Sequence, residues 1–248
     1  MRVELSPALI LHRRPWRDTS LIVEAFSREH GRIGAVAKGA RRVKSRWRGL
    51  LEPLSAVALS WSGRGELYTL TGVEYVRGHS LSGNALMGGL YAAELVLRLT
   101  ARDDPHARIH DSLAALLAAL AEGAPAIVGL RFFERDLLDE LGYGLNLAET
   151  DAGEAVAADA EYAWHAEHGL RRGAPCAGEI AVAGRTLAGL NAGRLPDRES
   201  IRQARDLMQA ALAPHIGPKP LKSVATLQAM QQFAGGARRG ESDAGDSS

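Results

Sequence analysis

Apolar positions follow two rhythms along the chain. Through residue 80 they come in short runs separated by glycine, proline and charge. Residues 8–12 are apolar and extended until Pro15 and Asp18 break the run. Residues 21–26 form a second run, closed by the turn Arg28-Glu29-His30-Gly31. In 33–37, Ile33, Ala35 and Ala37 alternate with Gly34 and Val36, the period of a strand. Pro53 has no amide hydrogen to give to a ladder, so a fourth strand is placed after it, at 54–61. Ser62-Gly63-Arg64-Gly65 is a hairpin turn, and 66–75 is the fifth strand. Five short antiparallel strands joined by glycine-rich turns predict a small closed barrel of the OB-fold type.

From residue 81 the period lengthens. Leu86, Leu90, Ala93, Leu97 and Ala101 recur at helical spacing through 82–102, and Asp104-Pro105 stops that helix. Residues 107–122 read as a buried helix rich in alanine and leucine. A third helix, 126–141, follows the link Gly123-Ala124-Pro125 and ends at Gly142. Residues 143–195 have weak periodicity, with short strands expected around 162–165 and 180–190. Helices at 198–212 and 222–233 are separated by Pro214, Pro218 and Pro220. The Gly-, Ser- and Asp-rich residues 234–248 are expected to be disordered. The predicted class is α+β: a barrel domain over 1–80, a mainly helical domain over 81–233 with an irregular insert near 143–195, and a tail.

Charge changes this picture by marking one end. The formal net charge is only +1. Residues 1–80 nevertheless hold 14 Lys and Arg against 7 Asp and Glu, a net of +7, while 81–248 hold 16 against 22, a net of −6. The excess sharpens between Arg28 and Arg48, where Arg28, Arg32, Lys38, Arg41, Arg42, Lys44, Arg46 and Arg48 face one acid, Glu29. Such a patch on a predicted OB barrel points to a polyanion, and nucleic acid is the first choice. Trp47, between Arg46 and Arg48, is the candidate stacking ring. Trp61 and Tyr68 are read as filling the barrel.

The remaining chemistry is mostly exclusion. The longest apolar run, 113–121, has nine residues against about 20 for a membrane span. With no charged-then-apolar leader, a cytoplasmic protein without membrane contact is expected. No phosphate-binding glycine loop and no nucleophile elbow occur, so neither nucleotide nor cofactor is expected. His106 with His110, and His165 with His168, have helical or turn spacing but no third ligand of matching spacing. Glu134 and Asp136 read as surface charges. No catalytic constellation stands out, and an enzyme is not expected.

Several segments, taken in order, resemble one family. Leu11-His12-Arg13-Arg14-Pro15-Trp16, Asp18-Thr19-Ser20-Leu21, Gly31-Arg32, Ala37-Lys38-Gly39-Ala40-Arg41 and Gly63-Arg64-Gly65-Glu66-Leu67 are similar to the N-terminal domain of the RecO family of bacterial recombination mediators. Leu130-Arg131-Phe132-Phe133-Glu134, Leu141-Gly142-Tyr143-Gly144 and Lys219-Pro220-Leu221-Lys222-Ser223 continue the resemblance. It implies an OB domain followed by a helical domain. It also implies a DNA repair protein that binds single- and double-stranded DNA, anneals complementary strands and, with RecR, helps load RecA onto strands coated by single-strand-binding protein. Localisation would be cytoplasmic, at the nucleoid during repair. One departure is plain. Many members carry a four-cysteine zinc module after the Leu-Gly-Tyr-Gly segment, whereas this chain has the single Cys176, so no metal is carried over to 143–195.

On this reading Lys38, Arg41, Arg42, Lys44, Arg46 and Arg48 contact phosphates, with Arg28 and Arg32 at the edge of the patch and Trp47 as the stacker. Arg131 is the candidate for the acidic C-terminal tail of single-strand-binding protein; the alternative for Arg131 is a helix-surface pair with Glu134 or with the neighbours of Arg135. Two other classes stay open: an OB-fold RNA-binding protein and a DNA-processing enzyme.

Overall fold

A computed structural model describes residues 1–226. Five strands, β1 (Arg2–Trp16), β2 (Ser20–Ser27), β3 (Gly31–Ala37), β4 (Ala56–Ser62) and β5 (Tyr68–Arg77), pair around a ring in the order β1-β2-β3-β5-β4 and back to β1. Four junctions are antiparallel. The fifth is parallel, Ala35 beside Tyr68 and Val36 beside Thr69, which corrects the all-antiparallel expectation. The reason is topological: strand direction cannot alternate at every junction of an odd ring, so one pair must run the same way. β1 explains the density of apolar residues near its middle. Ile10 points into the barrel core, while its neighbours Leu9 and Leu11 belong to the helical core. Both faces of that stretch are buried, so no polar alternation marks it.

The helical part contains α1 (Gly83–Leu99), α2 (Ala107–Ala121), α3 (Ala126–Glu140), α4 (Gly184–Asn191) and α5 (Arg198–Ile216). Leu95, Val96, Leu113, Leu117, Phe133, Leu137, Leu207 and Leu212 are fully buried where α1, α2, α3 and α5 meet. A small sheet, in the order β7 (Gly169–Arg172), β6 (Glu161–His165), β8 (Ile180–Ala183), packs Tyr162, Trp164, Leu170 and Val182 onto the same core. Three expectations need correction. β7 was not foreseen, since Leu170 is its only large apolar residue. The strand expected to run to residue 190 becomes helix α4 at Gly184, which lies so close to the Ala157 carbonyl that a Cβ would sit 1.9 Å from its oxygen. Pro214 lies inside α5 rather than ending it. It lies in the last turn, where its missing amide leaves the Ala210 carbonyl without the usual donor four residues on. Of the expected helix at 222–233, residues 222–226 are helical; the rest of it and the expected disordered tail lie outside the described residues.

The barrel and helical parts are joined by polar braces. Arg28 makes a bidentate pair with Asp111 of α2, with Nη2 to Oδ2 at 2.9 Å. Arg32 donates to the Thr100 carbonyl and pairs with Glu24, and Arg102 reaches the same Glu24 across Gly34. Gly31, at φ +68°, abuts the Asp104 carbonyl, a place where no side chain fits.

Candidate nucleic-acid interface

The chain between β3 and β4 carries the basic run, and its shape is set by a series of tight turns. Amides of Ala40, Arg42, Ser45, Arg48 and Leu50 each donate to a carbonyl three residues back. Gly39 and Gly49 supply left-handed backbone at φ +70° and +75°. The loop is pinned from beneath by Trp47, only 5% exposed, whose indole Nε1 donates to the Lys38 carbonyl at 3.0 Å. Leu51 and Leu54 are buried behind it. With Trp47, Leu51 and Leu54 turned inward, Lys38, Arg41, Arg42, Lys44, Arg46 and Arg48 are all exposed, as is Val43 among them. Among the described residues none of the six has a carboxylate within 4.0 Å. Two are held by backbone carbonyls. Arg41 reaches those of Arg17 and Asp18 at 3.4 and 3.3 Å, and Arg46 that of Thr71 at 3.2 Å.

The structure corrects three members of the expected DNA-contact set. Arg28 is spent on Asp111 and Arg32 on Thr100 across the two domains, with Glu24 of the barrel as a second partner of Arg32, so neither joins the loop's cationic face. Trp47 is no exposed stacker: one side of its ring is buried in the barrel, and the Arg46 guanidinium lies 4.2 Å from the ring centroid. Trp61 (0% exposed) and Tyr68 fill the barrel as expected. A ring that sequence reasoning undervalued, Trp16, is half-buried at the end of β1.

Arg131 is buried, not on a helix surface. Its Nη2 donates to Glu134 Oε1 at 2.8 Å, one turn along α3. Glu134, expected at the surface, is 0% exposed. The same carboxylate oxygen accepts the Tyr91 hydroxyl at 2.7 Å. Burial pushes the Glu134 carboxyl up to about 7, against the opposing pull of Arg131 and Tyr91. Tyr91 is raised as well, by burial and by the negative charge of Glu134. Among the described residues Arg131 Nε and Glu134 Oε2 lack a hydrogen-bond partner. This network sits at one wall of a groove of about 600 Å³ bounded by Met87, Tyr91, Ile127, Leu130, Arg131 and Val224. Glu94 holds the far rim by accepting from the Lys222 and Ser223 amides, and these bonds keep its carboxyl low although burial works to raise it.

The insert does not fit a four-thiolate metal site. Asn146 Oδ1 caps the amides of Ala148 and Glu149, the Asp151 amide bonds the Leu170 carbonyl, and Cys176 Sγ accepts from Arg171 at 3.2 Å. The one group of three metal-type ligands among the described residues is His165, Glu167 and His168 on the β6–β7 turn. There the two imidazoles stack with centroids 4.8 Å apart. Metal analysis of the purified protein is expected to find well under one zinc per chain, with the melting temperature unmoved by chelator. Stoichiometric zinc lost on changing both histidines would reverse that.

A five-stranded barrel with a cationic β3–β4 loop, followed by a helical domain, defines an OB-fold protein of two-part architecture. The sequence matches the family described as Recombination protein O N terminal over residues 1–79 and Recombination protein O C terminal over 80–225. It is 50% identical to the DNA repair protein RecO of Alkalilimnicola ehrlichii over 226 residues, 90% of each chain. It is 45% identical to that of Halorhodospira halophila, covering 88% of this chain and 93% of the relative. With the Azoarcus protein it shares 40% over 94% and 98%. The chain belongs to the RecO family of DNA repair proteins.

Proposed function

We propose that the protein binds single- and double-stranded DNA through the 38–48 loop and anneals complementary strands. With RecR it would help load RecA onto strands coated by single-strand-binding protein. The carrying observation is the set of six exposed cations on one pinned loop, unopposed by any described carboxylate. Annealing needs no covalent chemistry. Two strands repel through their phosphates, and a surface that neutralises both lets base pairing supply the driving force. Domain roles follow: 1–80 binds DNA, and the helical domain serves partners. Its groove offers apolar walls for the hydrophobic end of an acidic tail and a buried guanidinium for the terminal carboxylate. The setting is the cytoplasm, at the nucleoid during repair; among the described residues no helix is long and apolar enough to cross a membrane.

The test is strand annealing with chelator present and nucleotide absent. Complementary strands are expected to pair faster with the protein than without it. For about five phosphate contacts on single strands, log affinity should fall with log salt at a slope near −3.5. A flat salt response, or annealing that needs metal or nucleotide, would defeat this reading. Preference for RNA over DNA of the same sequence at equal salt would favour an RNA-binding OB protein instead.

A further inference from the structure

The loop's cations do not stand alone. β1 and β2 meet at a tight turn, Trp16 pairing with Ser20 and Arg17 holding left-handed backbone at φ 51°. Trp16 is the last residue of β1. Its ring is half-buried, and the guanidinium carbons of Arg14 and Arg17 lie 5.7 and 6.0 Å from the ring centroid. Neither arginine has a carboxylate within 4.0 Å among the described residues; Asp18 is the single acid of the turn. This turn is fastened to the basic loop. The Arg41 amide donates to the Thr19 carbonyl at 2.8 Å, and the Arg41 guanidinium to the carbonyls of Arg17 and Asp18. Trp16 therefore lies at one end of a continuous cationic face. The other three tryptophans, Trp47, Trp61 and Trp164, are all under 10% exposed and cannot offer a ring to a ligand.

We propose that Trp16 is a base-stacking platform for single-stranded DNA, with Arg14 and Arg17 moving from the ring to the flanking phosphates when a strand binds. The inference rests on the DNA-binding reading above and adds selectivity to it. Guanidinium groups held over an indole by the ring's negative face are exchangeable for the face of an unpaired base. A duplex keeps its base faces stacked and has only phosphates to give, so it uses the loop without the ring. Trp16 thus separates single-strand from duplex affinity.

The fluorescence change that Trp16→Leu removes isolates the ring, since Trp47, Trp61 and Trp164 remain in that variant. Titration of the full chain with oligothymidylate is expected to quench emission. Trp16→Leu, apolar but without a π face, should lose most of that quenching and about five- to 150-fold in single-strand affinity by anisotropy. Trp16→Phe should retain part of both. Duplex affinity should stay within about twofold in both variants. Trp16→Leu with unchanged single-strand affinity overturns the proposal, as does an equal loss on single strands and duplex. Arg42→Glu with Lys44→Glu keeps the two levels apart. If that variant leaves all DNA binding intact, the underlying reading fails. If it weakens binding while Trp16→Leu does not, only the platform fails. Matching melting temperatures of Trp16→Phe and the unmodified chain exclude a folding artefact.

Discussion

Arg131→Ala is expected to lower the unfolding free energy by about 3–5 kcal/mol at pH 8, the usual cost of stripping one partner from a buried ion pair. The magnitude comes from what stays behind. Glu134 has no exposure and, among the described residues, no other cation on it, so it would keep only the Tyr91 hydroxyl there. Its charge would then be buried unpaired. The sign with pH follows from the carboxyl, which burial raises to about 7 in the fold from an ordinary 4.5. A raised acid binds its proton more tightly folded than unfolded. Its contribution is therefore fully present below 4.5 and is lost as pH rises through about 7. The lesion in Arg131→Ala should accordingly shrink toward pH 5, where Glu134 takes up a proton. In the unmodified protein Glu134→Gln should flatten the decline of stability between pH 4.5 and 7. Urea melts at pH 5 and pH 8 measure both effects. Replacing the pair together, Arg131→Met with Glu134→Met, should cost much less than Arg131→Ala alone, because it leaves no orphan charge. That double variant is also the fair probe of the proposed tail site. If it folds and still binds an acidic, carboxylate-ended peptide with unchanged affinity, Arg131 is a strut of the helical core and nothing more.

What could be read in the sequence divides along one physical line. Strands and helices whose apolar residues face one way were legible, because period is a local property. β3, α2 and α3 begin and end close to where alternation, alanine-leucine content and Gly142 place them. The cationic loop was legible too, since six of its charges needed only to stay in water. Charges whose partners are distant in sequence were not. Arg28 looks like part of the basic run until Asp111, 83 residues on, is brought against it. Arg32 is likewise claimed by Thr100, 68 residues away. Trp47 sits between two arginines in sequence, and nothing local says that the loop returns across the barrel and turns the ring inward. Glu134 reads in the sequence as a surface acid because it and Asp136, two residues on, point to different faces of the helix. Burial of its face is decided by Tyr91 on α1 and by α5, neither of which is a neighbour in sequence. Trp16 shows the converse: the residue with the better claim to a ligand stood just outside the densest charge.

Arg42→Glu with Lys44→Glu is expected to reduce single-strand affinity more than tenfold near physiological salt, with the melting temperature within a degree or two of the unmodified protein. Both side chains are exposed, and neither makes a hydrogen bond or ion pair with any described residue, so the fold loses nothing when they change. The DNA loses two phosphate partners and gains two repulsions. On single strands each phosphate contact carries a salt slope of about −0.7, so the log–log slope should become shallower by about 1.4 or more. Because phosphates carry no sequence, the loss should be the same on mixed-sequence strands and on oligothymidylate. Arg41→Glu provides the contrast. Arg41 bonds the carbonyls of Arg17 and Asp18, so its loss should lower the melting temperature as well as affinity. Anisotropy at several salt concentrations, read beside thermal melts, separates the two. Full affinity with an unchanged slope in the folded Arg42 and Lys44 variant would move the DNA from this loop to another face. Arg64 and Arg77, barrel arginines outside the loop and the β1–β2 turn with no carboxylate within 4.0 Å among the described residues, would then be the next place to look.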